Sequence, residues 1–417
     1  MGSPVATVSP PFTRWKLFFS VLGPGLVVML ADTDVGSVIT AAQSGAQWGY
    51  KLLALQIILI PILYVVQELT VRLGIFTGKG HGELIREKFG PSWAWVSVTG
   101  LGIAAVGALL TEFSGVAGVS ELFGVPRAIG VAIAVTFLLI AVWTGSYRRV
   151  ERIAILLGLF ELVFLAVAVI AHPDPTAILE GLAHAPLHDP HYMYLVAANI
   201  GAVIMPWMIF YQQSAVADKG LHPEHYRNAR WDTALGAVLT QIVMAAVLIA
   251  VAATIGRSGA DVRLDTVGQI AHALIPFLGP AWGSIVFSLG ILGAGMVAAI
   301  VVSLAAAWGF GEVTGYRHSL QYHPREAPWF YAIYTFALIA GGVAVVYVPD
   351  LVSLNIAVEV MNALLLPLVL GFLVALAVKA LPPEHRLRGW YLWVVVSVSV
   401  LTAGLGVYGS LSSLPVF

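Results

Sequence analysis

The chain has 417 residues, of which 59% are hydrophobic and only 10% charged, and its mean hydropathy is +0.89. Soluble domains carry about 25% charged residues, so this composition excludes a soluble globular protein and predicts a polytopic protein of the lipid bilayer. The formal net charge is −1 and cysteine is absent. We therefore expect no nucleic-acid partner, no disulfide and no thiolate metal site.

Apolar runs of about 20 residues, the length needed to cross a bilayer, predict eleven transmembrane helices. They centre near residues 30, 62, 107, 135, 162, 205, 245, 295, 338, 365 and 401. The connecting loops are short, which predicts a single transmembrane domain over residues 1–417. No motif of enzyme chemistry stands in a supporting context, so we expect a protein that is not an enzyme and has no cofactor.

The basic residues predict the orientation. If the N-terminus is cytoplasmic, 17 Lys and Arg fall in inner segments, and only Lys51, Arg127, Arg257 and Arg263 fall outside. Positive residues are enriched in cytoplasmic loops. The pattern predicts a multi-pass protein of the cell (inner) membrane with a cytoplasmic N-terminus.

The first apolar run, Leu17 to Ala46, contains two aspartates, Asp32 and Asp34, followed by Gly36. A carboxylate at the centre of a membrane helix costs about 2.5 to 3.5 kcal/mol on insertion scales, so intramembrane acids usually face a cavity, a partner or an ion path. Glycine between short polar residues allows the helix to unwind. A broken first helix with a cation site is the prediction. A polar kink packed against a neighbouring helix is the alternative.

The sixth run carries a second break signal, Met205 followed by Pro206. Proline lacks an amide hydrogen and clashes with the preceding helical turn. Interrupted helices at matching positions of two inverted five-helix repeats place a binding site where the interruptions meet. The repeats are predicted at about 15–172 and about 191–379, followed by an extra helix at about 389–413.

Three stretches carry a family resemblance: GPGLVVMLADTDVGSVITAAQSGAQWGYKLL, RLGIFTGKGHGELIREKFG and IGAVIMPWMIFYQQS. They resemble the natural resistance-associated macrophage protein (NRAMP) family of divalent metal transporters, most specifically over Gly23 to Gly90 and Asn199 to Ser214. The resemblance implies an all-α membrane protein of the leucine-transporter-like fold, with helices 1 and 6 broken. It also implies uptake of manganous or ferrous ion, usually coupled to protons.

Carried over by this resemblance, the family's metal-binding aspartate falls on Asp34 and its sixth-span alanine carbonyl on Ala202. The thioether ligand falls on Met205. Ser37 occupies the family's asparagine position, where it offers a hydroxyl that binds metal directly or through water. Glu359 aligns with a glutamine near the site in span 10, and is interpreted either as a second carboxylate ligand or as a protonated structural residue.

This sequence departs from the family at positions that the family uses to move protons. The histidine position holds Trp207, and an aspartate of span 3 corresponds to Leu109, so proton coupling does not carry over with the fold. Glu112 matches the span-3 glutamate and is interpreted equally as a proton acceptor or a buried structural carboxyl. Asp32 either lines the vestibule or caps the break. Glu161, in span 5, is interpreted as structural or close to the inner surface.

The chemistry of these residues favours a divalent transition metal moved by alternating access. Asp34 supplies a hard anionic oxygen, whereas the soft sulfur of Met205 favours manganous or ferrous ion over magnesium and calcium. Two alternatives remain open. One is a magnesium transporter that binds a partly hydrated ion, which Ser37 and Glu359 would suit. The other is a sodium-coupled carrier of small solutes on the same architecture.

Overall fold

The computed structural model describes residues 23–144, 146–255, 264–278 and 282–412. Throughout these ranges the secondary structure is helical, with no strand. Short 3-10 turns occupy Leu159–Leu162 and Pro223–His225. The start of the first predicted span, residues 17–22, lies outside the described residues. The α-helices, in chain order, are α1 Pro24–Asp32, α2 Val35–Trp48, α3 Leu53–Thr77, α4 His81–Phe89, α5 Pro91–Leu122, α6 Arg127–Trp143, α7 Tyr147–Gly158, α8 Val163–Ile170, α9 Pro175–Ala183, α10 Pro190–Val203, α11 Pro206–Asp218, α12 Tyr226–Thr254, α13 Val267–Leu278, α14 Gly283–Thr314, α15 Pro328–Val346, α16 Leu351–Lys379 and α17 Gly389–Ser412.

Within the described ranges, nine helical segments are long and apolar enough to cross a membrane, and the bent pair α1 and α2 makes a tenth. The remaining apolar helix, α6, has 17 residues and corresponds to the predicted fourth span. The eleven predicted spans therefore each have a helical counterpart. The number that crosses the bilayer stays a prediction, as does the division into two repeats.

The interrupted sixth span lies at the centre of the bundle. In Pro190–Asp218, which combines α10 and α11, 94% of the most apolar window is buried, compared with 33% in the last helix, Gly389–Ser412. Polar residues in the interior of a membrane bundle are costly and usually have a functional role. The burial of a span that carries polar interruptions therefore indicates a functional role for this interior. The sixth span is therefore positioned to line a site, and the last helix lies at the periphery.

Close helix contact holds the sixth span against α16. A Cβ atom built on Gly201, in the last turn of α10, would overlap the backbone carbonyl oxygen of Glu359. Small residues allow the backbones of membrane helices to approach in this way. The contact fixes Glu359 next to the interruption between α10 and α11.

Candidate metal site

The first break lies between α1 and α2, whose axes differ by 45°. Asp34 is the N-cap of α2, and its Oδ1 accepts a hydrogen bond from the Ser37 amide at 2.7 Å. The amide of Val35 donates to Glu112 Oε2 at 3.2 Å. In a continuous helix these two amides would bond the carbonyls of Thr33 and Ala31. The carboxylates of Asp34 and Glu112 therefore accept the hydrogen bonds of these two amides. The backbone carbonyls of Ala31 and Thr33 are left without their helical donors.

The second break lies between α10 and α11, at Ile204 and Met205. A continuous helix would bond the Ala202 carbonyl to the amide of residue 206, but Pro206 has no amide hydrogen. The Ala202 carbonyl instead accepts a hydrogen bond from the Ser37 hydroxyl at 2.9 Å. Because a carbonyl oxygen has two lone pairs, this bond leaves one for another ligand. Met205, the N-cap of α11, is completely buried at the same break.

The Ser37 to Ala202 hydrogen bond joins the two breaks directly, although the residues are 165 positions apart. Of the predicted site residues, Ser37 of helix 1 and Ala202 of helix 6 are thus brought together. Asp34 Oδ2 is buried and has no hydrogen-bond partner in the protein. An unpaired buried carboxylate is costly, so this oxygen requires a cation or a proton.

Glu359 of α16 completes the arrangement from a third direction. A Cβ built on Gly36 would overlap Glu359 Oε1 and lie 3.5 Å from Asp34 Oδ1. Glu359 Oε2 accepts from the Asn362 amide nitrogen at 3.0 Å, whereas Oε1 is buried without a partner. Two carboxylates therefore flank Gly36, and each keeps one free oxygen. Glycine at this position is what gives them room.

Glu112 and Asp32, the predicted proton or vestibule residues, also lie at the first break. Besides capping Val35, Glu112 accepts a hydrogen bond from the Thr111 hydroxyl at 3.1 Å, and its carboxyl interacts with that of Asp34. Asp32 Oδ2 is 3.5 Å from the Thr240 hydroxyl, and its Oδ1 has no partner. Glu112 is thus placed to cap α2, a contact that the sequence did not reveal. The role of each in proton transfer stays a prediction.

Sequence reasoning missed Glu161. It lies on the 3-10 turn between α7 and α8, is fully buried, and is close enough to Asp32 and Asp34 for the charges to interact. The interpretation of Glu161 as structural or close to the inner surface stays a prediction. The sequence does contain one signal for this residue, because Glu161 is an acid in the middle of a span. The cost of inserting a carboxylate into the bilayer makes such a residue a functional candidate.

The site carries more negative than positive charge. Asp32, Asp34, Glu112, Glu161 and Glu359 are all 1% exposed or less, and none forms a salt bridge within the described residues. In the same ranges, no three His, Cys, Asp or Glu side chains form a ready-made metal cage. A metal held here would combine carboxylates with backbone carbonyl and sulfur ligands.

Contacts at the start of α1 join it to α12 and to a neighbouring ion pair. The amides of Gly25 and Gly23 donate to Asp232 Oδ2 of α12, at 2.9 and 3.4 Å. An ion pair of 2.8 Å between Lys219 and Glu151 lies against Gly23. We refer to these contacts, formed by Gly23, Gly25, Glu151, Lys219 and Asp232, as the α1 latch. The side chains of Asp34, Met205 and Glu359 are buried as well.

An all-helical membrane bundle in which two interrupted helices meet at a buried, acidic centre is typical of secondary transporters built on broken helices. The sequence family described as "Natural resistance-associated macrophage protein-like" matches residues 25–412. The chain belongs to this family. It is therefore a multi-pass divalent metal cation transporter and not an enzyme, as the sequence resemblance predicted.

Individual relatives support the assignment to this family. The divalent metal cation transporter MntH of Erwinia tasmaniensis is 30% identical over 301 residues, which cover 70% of this chain and 71% of the relative. The divalent metal cation transporter MntH of Agrobacterium fabrum is 26% identical over 355 residues, which cover 82% of this chain and 75% of the relative.

Solved structures establish the fold. The manganese transporter of Eremococcus coleocola, in complex with an aromatic bis-isothiourea substituted compound, aligns with a TM-score of 0.78 and 20% identity over 97% of this chain and 89% of that one. MhsT in complex with L-phenylalanine aligns with a TM-score of 0.63 and 16% identity, over 94% of this chain and 98% of that one. The predicted leucine-transporter-like fold is confirmed.

Proposed function

We propose that this chain transports a divalent transition metal ion, manganous or ferrous, by alternating access. Asp34 is the principal charged ligand, Ala202 supplies a carbonyl, Met205 a thioether and Glu359 a second carboxylate. Ser37 contributes its hydroxyl directly or through water. The observation that carries the proposal is the pair of buried carboxylates beside Gly36, each of which has one oxygen without a hydrogen-bond partner, together with the hydrogen bond that joins the two helix breaks.

Charge balance supports a divalent ion. The carboxylates of Asp34 and Glu359 together carry the two negative charges that such an ion neutralises. Relatives named as divalent metal cation transporters, and a manganese transporter of the same fold, support the same class of substrate. The solute-carrier alternative retains only the fold similarity to MhsT in its favour.

Met205 distinguishes transition metals from magnesium. Thioether sulfur binds softer ions, whereas magnesium requires oxygen ligands and keeps several of its waters. A magnesium transporter is the second candidate because Ser37 and the free oxygen of Glu359 offer further hard donors. The site as a whole has one soft ligand that magnesium would not use.

We expect Met205→Ala to lower the preference for manganese over magnesium by about tenfold or more, because a ligand that only the softer ion uses is removed. The measurement is manganese uptake into proteoliposomes at increasing magnesium concentration. Met193→Ala is the matched control, since Met193 is buried in the same span, about three turns before the break. Unchanged competition in Met205→Ala would favour the magnesium candidate.

The distribution of basic residues supports a cell-membrane protein with a cytoplasmic N-terminus, which would place the α1 latch on the cytoplasmic side. Because the chain has no cysteine, single introduced cysteines report the side directly. In intact cells we expect a membrane-impermeant maleimide to label His188→Cys and to leave His323→Cys unlabelled. Both positions are exposed loop residues. The reverse pattern would contradict the orientation.

A further inference from the structure

A groove runs along the surface of the bundle between α16 and the last helix, α17. One face of α17 packs closely, since a Cβ built on Gly409 would overlap the Met193 carbonyl oxygen of α10. Beside that face, a Cβ built on Gly404, or on Gly371 of α16, would have no atom within 4 Å. These two glycines therefore leave open space between the helices, and the groove has a volume of about 600 Å³.

The walls of the groove are apolar, and Ser399 supplies the one polar side chain among them. The groove extends from Pro367 to Ala375 on α16 and from Val396 to Val407 on α17. At 1.5 Å per residue this is about 12 to 17 Å along the helix axes. One half of the hydrocarbon core of a bilayer is about 15 Å thick. The groove therefore has the length and the surface that suit one hydrocarbon chain of a single leaflet.

Three basic side chains lie at one end of this groove. Lys379 is one helical turn beyond it on α16, and Arg386 and Arg388 lie in the loop that leads to α17. All three residues are exposed, and none forms a salt bridge within the described residues. Lys379 Nζ lies 4.9 Å from the centre of the Phe89 ring, and Arg386 donates to a carbonyl of its own loop. Their positive charges are thus available to a ligand.

The surroundings of these basic residues place them at the level of lipid headgroups. The loop carries one acid, the exposed Glu384, so an excess of two positive charges remains. Trp390 and Trp393, in the first turns of α17, are 77% and 70% exposed. Tryptophan is enriched at the interface between membrane and water. A cationic, aromatic end on an apolar groove matches a lipid with a negatively charged headgroup.

A second groove of the same kind lacks this charge. It lies between α6 and α15, has a volume of about 470 Å³ and is also lined mainly by apolar side chains. The basic residue at its end, Arg127, pairs with Glu121 and donates to the Val348 carbonyl. Its charge is therefore already balanced by the protein. The two grooves differ in free positive charge, which indicates that the headgroup, more than the hydrocarbon chain, selects the ligand of the first.

We propose that the groove between α16 and α17 binds one anionic phospholipid. The phosphate contacts Lys379, Arg386 and Arg388, and one acyl chain lies in the groove. Basic pockets between membrane helices attract acidic headgroups, and each buried methylene of an acyl chain adds affinity. The site is separate from the metal site, so the proposal holds whichever ion is transported.

A second copy of this chain suits the groove less well. Two copies in one membrane have the same orientation, and a symmetric dimer uses the same surface of both. A dimer across this groove would therefore place two clusters of Lys379, Arg386 and Arg388 side by side. Like charges so arranged repel each other, whereas an anionic headgroup neutralises one cluster.

Native mass spectrometry of the full-length protein in detergent tests the proposal. The protein is titrated with dioleoyl phosphatidylglycerol or with dioleoyl phosphatidylcholine, which has the same chains and no net charge. We expect one phosphatidylglycerol to bind at least about tenfold more tightly than phosphatidylcholine, and glycerol 3-phosphate, which has no chains, not to bind. Equal affinities for the two lipids would overturn the proposal.

Variants locate the bound lipid. Lys379→Gln and Arg388→Gln should each weaken phosphatidylglycerol binding about fivefold, and the triple variant with Arg386→Gln about 100-fold. Arg325→Gln is the matched control, because Arg325 is an exposed basic residue of the loop between α14 and α15, which do not line this groove. We expect it to keep the wild-type affinity. An equal loss in Arg325→Gln, or no loss in the triple variant, would contradict the proposed headgroup contacts.

Gly404→Leu tests the acyl-chain part of the site, because the leucine side chain would occupy the groove. We expect it to weaken phosphatidylglycerol binding while the three basic residues are still present. Unchanged binding would contradict the groove as the chain site. A wild-type dimer that Gly404→Leu dissociates would assign the groove to a second copy and overturn the proposal. Thermal unfolding gives a second measurement, in which phosphatidylglycerol should stabilise the wild type and Arg325→Gln but not the triple variant.

Discussion

Asp34→Asn is expected to reduce manganese uptake by more than about 100-fold, beyond the 10- to 100-fold typical of residues that only support metal ligands. Asparagine keeps a side-chain oxygen that can accept the Ser37 amide, so α2 retains its cap. What the substitution removes is the negative charge. Glu359 would then be the sole carboxylate left to balance two positive charges beside Gly36.

The measurement is manganese flux into proteoliposomes, combined with gel filtration to show that the variant is folded. Asp189→Asn is a matched control because Asp189 caps α10 in the same manner, accepting from the His191 amide at 2.8 Å, but lies in a loop. We expect this control to transport at the wild-type rate. Normal flux through Asp34→Asn would show that the metal is bound elsewhere.

Gly201→Ala is expected to destabilise the protein by about 3 kcal/mol or more, the upper part of the range for overpacked interiors. The added Cβ would overlap the carbonyl oxygen of Glu359, and backbone cannot move aside as a flexible side chain can. Separation of α10 from α16 would also shift Glu359 away from Asp34. We therefore expect weaker metal uptake in the fraction that folds.

Thermal unfolding of the detergent-solubilised protein measures the effect of Gly201→Ala. Gly371→Ala on α16 serves as the control, because no atom lies within 4 Å of the position that an added Cβ would take and the residue is exposed. There alanine should be neutral or stabilise the helix by about 0.5 to 1 kcal/mol. An equal thermal stability of both variants would contradict the close contact between α10 and α16.

The two helix breaks could be predicted from sequence because their causes are local. Proline at 206 removes the amide that would bond Ala202, whatever the rest of the chain does. Acidic residues beside glycine in an apolar run are similarly informative, since the cost of placing charge in lipid depends on the run itself. Asp34 and Met205 are therefore recognisable as candidate ligands without knowledge of any contact between them.

Contacts between distant helices could not be predicted in this way. Glu112 caps α2 across 77 residues, and Thr33 meets Thr240 across 207. Such pairings depend on helix packing, which one sequence does not specify residue by residue. The 3-10 turn that presents Glu161 is equally invisible, because Leu159–Leu162 reads as continuous apolar helix around one acid.

The membrane class, the position of each interruption and the chemical type of the proposed ligands followed from the sequence alone, because hydropathy, proline geometry and side-chain charge are properties of short segments. The tertiary structure decided which polar groups meet. It set Ser37 against Ala202, Glu359 beside Gly36 and Glu161 near Thr33 of the first break. These contacts arise from the packing of helices that are far apart in the chain, and the proposed metal site is formed where they meet.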